Sequence, residues 1–135
     1  MKLWIDDLRP APNGYNITAL NYHAAITLID QFSEELTHIS FDNDLGLLSV
    51  DADGNELSGY MIADYLEEHF YLQNFKLSKL VGVQAHSSNY WGREKIISAM
   101  QYIAKNHKNN IQIYNTPYES MTNTDSFGFI LNKGN

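Results

Sequence analysis

The chain has 135 residues, no cysteine and a formal net charge of −7 at pH 7. This length predicts one domain over residues 1–135 with its own hydrophobic core. The negative charge argues against duplex nucleic acid as the main partner, and the lack of cysteine excludes disulfides and fits a reducing cytoplasm. No apolar run approaches the roughly 18 residues of a transmembrane helix, and the acids in MKLWIDD come too early for a secretory leader. We therefore expect a cytoplasmic protein with no membrane partner.

The first half of the chain predicts three strands and one helix. Apolar stretches indicate strands at residues 2–6, 17–20 and 37–41, and apolar residues at i, i+3, i+4 and i+7 indicate a helix at 23–32. The segment RPAPNG between the first two strands contains two prolines and a glycine, which forbid regular structure there. The first crossover is therefore too short for a full helix and is abbreviated.

The second half predicts two more strands and two more helices. These elements are expected at 59–70 and 91–105 for the helices and at 77–85 and 111–114 for the strands. Ser58 is suited to cap the first of these helices, and the segment 45–57 before it is predicted to be a loop. The segment FGFIL at 127–131 is compatible with an additional C-terminal edge strand.

The alternation of strands and helices predicts an α/β fold built on a parallel sheet with helices on both faces. We expect a single doubly wound, flavodoxin-like sheet of five parallel strands in the order 2-1-3-4-5. Ligands of such sheets bind outside the carboxyl ends of the strands. In this order the first, third and fourth strands are neighbours, so the residues that follow them are the candidates for a functional site.

Acidic side chains follow two of these three strands. Asp6 and Asp7 come after the first strand, and Asp42 and Asp44 flank Asn43 after the third. Neighbouring strands lie about 4.8 Å apart, so these carboxylates are expected to converge and to need a compensating positive charge. A divalent cation, Mg²⁺ or Mn²⁺, would supply it. Each acidic pair alone is also compatible with a solvated turn, and the convergence is what favours a metal site.

A polar segment, HSSNYWGREK at 86–95, follows the fourth strand and opens the next helix. His86 is a candidate metal ligand or general acid, or an ordinary hydrogen-bonded histidine. Ser87 and Asn89 can donate hydrogen bonds to an anion at the helix start. Gly92 allows close approach of the backbone, and Arg93 is suited to bind a phosphate. The alternative is a helix-capping cluster with a surface arginine.

Two further features of the sequence bear on ligand binding. Arg9 follows the first acidic pair and is either a second anion-binding residue or an ion partner of Asp7. Tyr90 and Trp91 are candidates for a wall that stacks on a ring of the ligand, although packing in the core is the more common role of such residues.

Four blocks of the sequence resemble the cyclic-phosphate-processing receiver domains, which are stand-alone relatives of two-component receivers. The blocks are WIDDLRPAPNGY (4–15), SFDNDLG (40–46), SGY (58–60) and HSSNYWGREK (86–95). The resemblance implies functional roles for ten positions: Asp6, Asp7, Arg9, Asp42, Asp44, His86, Ser87, Asn89, Gly92 and Arg93. The chain departs from the family pattern at Phe41, Asn43 and Tyr90, where the family has Leu, His and Pro. The missing histidine at position 43 argues against mechanisms that need two histidines.

The resemblance to phospho-accepting receivers fails at one point. Those domains carry a lysine after the fifth strand, whereas this chain has Asn115 and Thr116 there. An acyl-phosphate switch is therefore not expected.

The sequence instead favours a metal-dependent phosphoesterase-like domain that acts on a cyclic phosphate or cyclic nucleotide. Asp42 and His86 would be its catalytic residues, and the four carboxylates at positions 6, 7, 42 and 44 would bind the metal. The alternative is a binding module that captures a small anionic phosphate ligand without turnover.

Overall fold

The computed structural model describes residues 1–118 and contains five strands and three helices in this part of the chain. The strands are β1 (Lys2–Ile5), β2 (Ile17–Ala19), β3 (His38–Phe41), β4 (Gly82–Ala85) and β5 (Gln112–Asn115). The helices are α1 (Tyr22–Phe32), α2 (Gly59–Tyr71) and α3 (Tyr90–Asn106). The edge strand predicted at 127–131 lies outside the described residues. Among residues 1–118, no helix is both long enough and apolar enough to cross a bilayer.

All strand pairs are parallel and their order is β2-β1-β3-β4-β5, which confirms the predicted α/β sheet. The two central strands β3 and β4 are buried along their whole length, as expected for strands covered on both faces. One face carries Leu3 and Ile5 of β1 with Ile39 and Phe41 of β3, and these belong to one core cluster with residues of all three helices. This face supplies most of the hydrophobic burial that stabilises the domain.

The opposite face has a different composition. Trp4, Ser40 and Gln84 are in register on three neighbouring strands, and their side chains point away from the face that carries Leu3 and Ile5. The abbreviated first crossover leaves this face without the helix that usually follows β1 in a doubly wound sheet. The connecting segment covers it instead, since Trp4 donates a hydrogen bond of 2.8 Å to the carbonyl of Arg9 and packs edge-on against Tyr15.

The fourth strand is shorter than the sequence predicts. Its predicted first half forms a turn closed by a 3.0 Å hydrogen bond from Leu80 N to Leu77 O, and Leu77 has a φ of 50°. Both leucines are nevertheless fully buried. The leucines at positions 77 and 80 therefore reflect the burial of a turn rather than an extension of the strand.

Candidate metal centre

The register of the sheet brings the ends of β1, β3 and β4 side by side. Ile5, Phe41 and Ala85 are paired across the three strands. The parallel hydrogen bonding continues one residue further, because Asp42 N donates to Ile5 O and His86 N donates to Phe41 O. The next side chains, those of Asp6, Asp42 and His86, are all buried, and each offers a ligand atom within 4.8 Å of those of the other two.

Asp6 is held by three hydrogen bonds. Its Oδ1 accepts from the backbone N–H groups of Leu8 and Arg9, each at 2.9 Å, and its Oδ2 lies 2.9 Å from Nε2 of His86. Burial raises the pKa of Asp6, but the hydrogen bonds from His86, Arg9 and Leu8 outweigh it and leave the pKa below its usual value. Asp6 is therefore a carboxylate at neutral pH.

His86 is fully buried, and both of its ring nitrogens are engaged. Nδ1 lies 2.8 Å from Oγ of Ser40, which in turn lies 2.8 Å from the side-chain oxygen of Gln84. The indole of Trp4 stacks on the imidazole with a centroid distance of 3.9 Å and an angle of 4°. Burial lowers the pKa of His86 more than the neighbouring Asp6 raises it. A neutral imidazole whose Nε2 faces the Asp6 carboxylate can donate a hydrogen bond from that nitrogen.

Asp42 is 6% exposed and lies beside the Asp6 carboxylate. Its Oδ1 accepts a 2.8 Å hydrogen bond from the backbone N–H of Asn43, and the Ser87 side chain also binds it. Burial and the charge of Asp6 nevertheless raise the pKa of Asp42 to about 6. Two buried acids with pKa values displaced in opposite directions form the electrostatic centre of the site.

The other two predicted metal ligands lie outside this three-residue cluster. The Asp7 carboxylate packs against Gly46, where a Cβ atom would lie 2.5 Å from Oδ2 of Asp7. Asp44 is exposed, and its Oδ1 accepts from the amide groups of Asn43 at 3.2 Å and Asn89 at 3.3 Å. Both acids border the centre without sharing its burial.

The two predicted phosphate-binding arginines both contact the polar segment that follows β4. Arg9 donates a 2.7 Å hydrogen bond to the Ser88 hydroxyl and stacks over the Tyr118 ring at 4.6 Å. Its charge acts on the centre, because it lowers the pKa values of both Asp42 and His86. Arg93 donates to the Ser87 carbonyl at 2.7 Å and to the Asn115 side chain at 2.9 Å. These contacts hold Arg93 between the ends of β4 and β5.

Asn89 and Gly92 have structural partners at the start of α3. Oδ1 of Asn89 accepts a 3.0 Å hydrogen bond from Gly92 N and caps the helix. Gly92 itself packs against the Asn43 side chain so closely that a Cβ atom would overlap it. Oδ1 of Asn43 accepts from Tyr60 N at 3.1 Å, so Asn43 caps α2. Ser58 occupies the predicted N-cap position, but its hydroxyl donates to Glu56 instead.

Sequence reasoning missed four residues that shape the centre: Trp4, Ser40, Asn43 and Gln84. Ser40 and Gln84 are polar residues inside otherwise apolar strands, and such positions are a detectable signal because a buried polar group needs a partner. Asn43 was recognised as part of a possible turn and as the replacement for a family histidine, but its capping of α2 was not predicted. The stacking of Trp4 on His86 depends on strand register, and no local sequence signal indicates it.

Two pockets of the described residues differ in their relation to this centre. One, of about 360 Å³, lies at the starts of α2 and α3 and is lined in part by Asp44 and Asn89. A larger one, of about 460 Å³, lies at the C-terminal ends of the same helices and contains none of the predicted site residues. The smaller pocket is therefore the one that concerns the candidate site.

A family model described as the cyclic-phosphate processing receiver domain matches residues 1–102 of the 135. The chain belongs to this family. The matched segment includes β1 to β4 and every member of the buried cluster, whereas β5 lies beyond it. No curated protein and no solved structure shows significant similarity to the chain.

Proposed function

We propose that this receiver domain is a metal-dependent phosphoesterase that processes cyclic phosphates or cyclic nucleotides in the cytoplasm. The observation that carries the proposal is the buried cluster of Asp6, Asp42 and His86, whose ligand atoms lie within 4.8 Å of one another. The pKa of Asp42 is raised to about 6 because its burial and the charge of Asp6 outweigh the opposing effect of Arg9, and a bound cation would relieve this unfavourable environment. Two carboxylates and one imidazole suit Mg²⁺ or Mn²⁺, and the imidazole favours Mn²⁺ between the two.

Asp6, Asp42 and His86 would hold the ion, with Asp7 and Asp44 at the border of the site. When bound, a divalent ion lowers the pKa of a coordinated water and stabilises negative charge on phosphoryl oxygens. The protein groups around it bind and orient the ligand. Arg9 and Arg93 would bind the phosphate, and the Ser87 and Asn89 side chains would add polar contacts.

His86 has two roles in this proposal that experiment separates. As a metal ligand it needs a lone pair on Nε2, the atom that faces Asp6. As a general acid it needs Nε2 to hold a proton and to reach the leaving oxygen. The complete burial of the ring favours the first role.

The second candidate function is capture of the same ligand without turnover. It is favoured by the engagement of both His86 nitrogens within the protein, since a group fixed in this way has no position free for proton transfer. The two functions share the pocket and the arginines and differ only in chemistry.

The test is a metal-supplemented screen of cyclic nucleotides and cyclic-phosphate-ended RNAs that records both product and retained ligand. Arg93→Ala should weaken ligand binding about ten- to a hundredfold, the loss expected for a charge-assisted hydrogen bond. Lys105→Ala, which removes a charge from the far end of the same helix, is the matched control and should have no effect.

His86→Gln should reduce turnover about a hundredfold or more. If His86 is a ligand, added metal partly restores the rate; if it is the acid, added metal does not. Binding without turnover that is lost in Arg93→Ala would support the capture function. If neither substitution changes the binding or turnover of any ligand, the functional site lies elsewhere in the protein.

A further inference from the structure

The pocket at the starts of α2 and α3 has one side in common with the candidate site. Asn43, Asp44 and Asn89 line it; Asn43 follows directly on Asp42 of the centre, and Asn89 lies three residues after His86. The pocket is also lined by Tyr60 in the first turn of α2 and by Trp91 and Lys95 in the first two turns of α3. Its volume of about 360 Å³ lies within the range of small-molecule sites. A ligand bound at the centre could thus extend into this pocket.

Trp91 is the most unusual residue of the pocket wall. Its side chain is 74% exposed, whereas the only other tryptophan, Trp4, is fully buried. The structure thereby excludes the core-packing role that tryptophan usually has. An exposed indole at the rim of a polar pocket presents a large flat surface that a planar ring can cover.

The pocket lining contains a second aromatic group besides Trp91. The Lys95 ammonium lies 4.3 Å from the centroid of the Tyr60 ring, so the positive charge is fixed over that ring. The rings of Tyr60 and Trp91, together with the Lys95 ammonium, suit a planar, polar ring better than an aliphatic group.

Two carboxylates in the pocket set its hydrogen-bonding preference. Asp44 and Glu56 both line it, and an ionised carboxylate accepts hydrogen bonds but cannot donate them. Oδ1 of Asp44 accepts hydrogen bonds from two side-chain amide groups, and Oε1 of Glu56 accepts one from the Ser58 hydroxyl. These hydrogen bonds orient both carboxylates. Fixed acceptors recognise ligand N–H groups and disfavour carbonyl oxygens at the same position.

We propose that this pocket binds the base of a nucleotide, stacked on Trp91 and recognised through an exocyclic amino group by Asp44 and Glu56. The inference rests on the proposed function for the position of the phosphate at the neighbouring metal centre. It narrows the substrate class to nucleotides whose base carries an amino group, such as those of adenine and cytosine. Uracil nucleotides should bind with lower affinity.

Three ligands test the inference on the full chain in millimolar Mg²⁺. Adenosine carries the base alone, ribose 2′,3′-cyclic phosphate carries the phosphate alone, and adenosine 2′,3′-cyclic phosphate carries both. Affinity is measured by calorimetry, and the Trp91 fluorescence, separated from that of Trp4 by the Trp91→Phe variant, reports occupancy of the pocket. We expect Trp91→Ala to weaken binding of the nucleotide about five- to a hundredfold, the range of base stacking on an aromatic residue. Binding of ribose 2′,3′-cyclic phosphate should not change.

Tyr71→Ala is the matched control, because Tyr71 is also exposed but lies at the other end of α2. It should alter the affinity of none of the ligands. Cytidine 2′,3′-cyclic phosphate should bind more tightly than its uridine counterpart, and Glu56→Gln should reduce that difference.

The outcomes distinguish this inference from the proposed function. If Trp91→Ala leaves nucleotide affinity unchanged, or weakens the base-free phosphate equally, the base pocket is overturned while the phosphate site stands. If adenosine binds and quenches the Trp91 fluorescence but Arg93→Ala changes the affinity of neither cyclic phosphate, the base pocket is supported and the phosphate site is refuted. If neither adenosine nor its cyclic phosphate changes the Trp91 fluorescence, the proposed base pocket is refuted.

Discussion

At the scale of single residues, the centre is governed by the burial of Asp42 beside a second carboxylate. Burial, and then the charge of Asp6, raise the pKa of Asp42 from 3.8 to about 6. A carboxyl group whose pKa is raised on folding favours the folded state only when it is protonated. Its contribution to stability is therefore present below the unfolded pKa of 3.8 and is lost as the pH rises through about 6. This increase in the pKa of Asp42 corresponds to about 3 kcal/mol of the free energy of unfolding.

The substitution Asp42→Asn should consequently stabilise the metal-free protein at neutral pH. We expect its free energy of unfolding at about pH 7 to exceed that of the wild type by up to about 3 kcal/mol, because the amide carries no charge to bury. The difference should disappear well below pH 3.8, where Asp42 is protonated in both states. Urea unfolding with a chelator across this pH range measures it. Asp53→Asn, at an exposed acid, should show no such trend, and a difference independent of pH would contradict the argument.

The second prediction for a single residue concerns Ser40, whose hydroxyl contacts the buried imidazole of His86. Ser40→Ala removes the hydroxyl that contacts Nδ1 of the buried imidazole, and the side-chain oxygen of Gln84 loses the hydrogen bond that this hydroxyl donates. The loss should destabilise the fold by about 1–3 kcal/mol. It should also weaken metal binding about ten- to a hundredfold, since the ring that presents Nε2 is no longer oriented.

Thermal unfolding and metal titration of Ser40→Ala measure these two effects separately. Ser98→Ala, at an exposed serine of α3, is the control and should change neither. Destabilisation without a change in metal affinity would show that Ser40 supports the core but does not position His86.

At the scale of secondary-structure elements, two helix starts converge on Asn43. Its side chain caps α2 and lies against Gly92 of α3, so it fixes the spacing of the two helices that border the pocket. Gly92→Ala should destabilise the protein by about 1–3 kcal/mol, because the added methyl group overlaps Asn43. In the Asn43→Gly background the same substitution should cost markedly less. Chemical unfolding of the four proteins gives the coupling energy, and additive effects would show that the close contact does not matter.

The helices and the strand order could be predicted from sequence, whereas the length of β4 could not. The spacing of apolar residues predicted each end of α2 and α3 to within one residue. This was possible because a helix that packs on a sheet has apolar residues at regular intervals along one face. The run at 77–85 was misleading because burial selects apolar residues in turns as well as in strands. Only the positive φ of Leu77 distinguishes the two, and a leucine gives no sign of that conformation.

At the scale of the whole molecule, topology explains why part of the site was predictable. The strand order alone places residues 6, 42 and 86 at one edge, and the structure brings these three together. It does not determine which of two nearby acids enters the centre. That choice depends on the loops: Asp6 is turned inward by the backbone groups of Leu8 and Arg9, and Asp44 is held outward by amide groups.

The fold of a receiver does not by itself provide a phosphorylation switch. After β5 the described chain continues Thr116, Pro117 and Tyr118, without the lysine that phospho-accepting receivers carry at this point. Incubation with acetyl phosphate and Mg²⁺ should therefore leave the intact mass of the protein unchanged. Mass spectrometry checks this, and a stable adduct on Asp42 would favour a signalling role instead.

The last prediction concerns metal binding by the whole domain. A ligand that binds only the folded state at a hundred times its dissociation constant stabilises a protein by about 2.7 kcal/mol, so saturating Mn²⁺ or Mg²⁺ should raise the melting temperature by on the order of 10 °C above the value with chelator. The response should shrink below about pH 6, because protons then compete with the metal for Asp42. Asp42→Asn should abolish most of it, whereas Asp44→Asn, outside the buried cluster, should retain it. Differential scanning fluorimetry of the three proteins with and without metal measures these shifts. Identical melting curves of the wild type under both conditions would refute the metal centre, and equal losses in the two variants would extend the ligand set to Asp44.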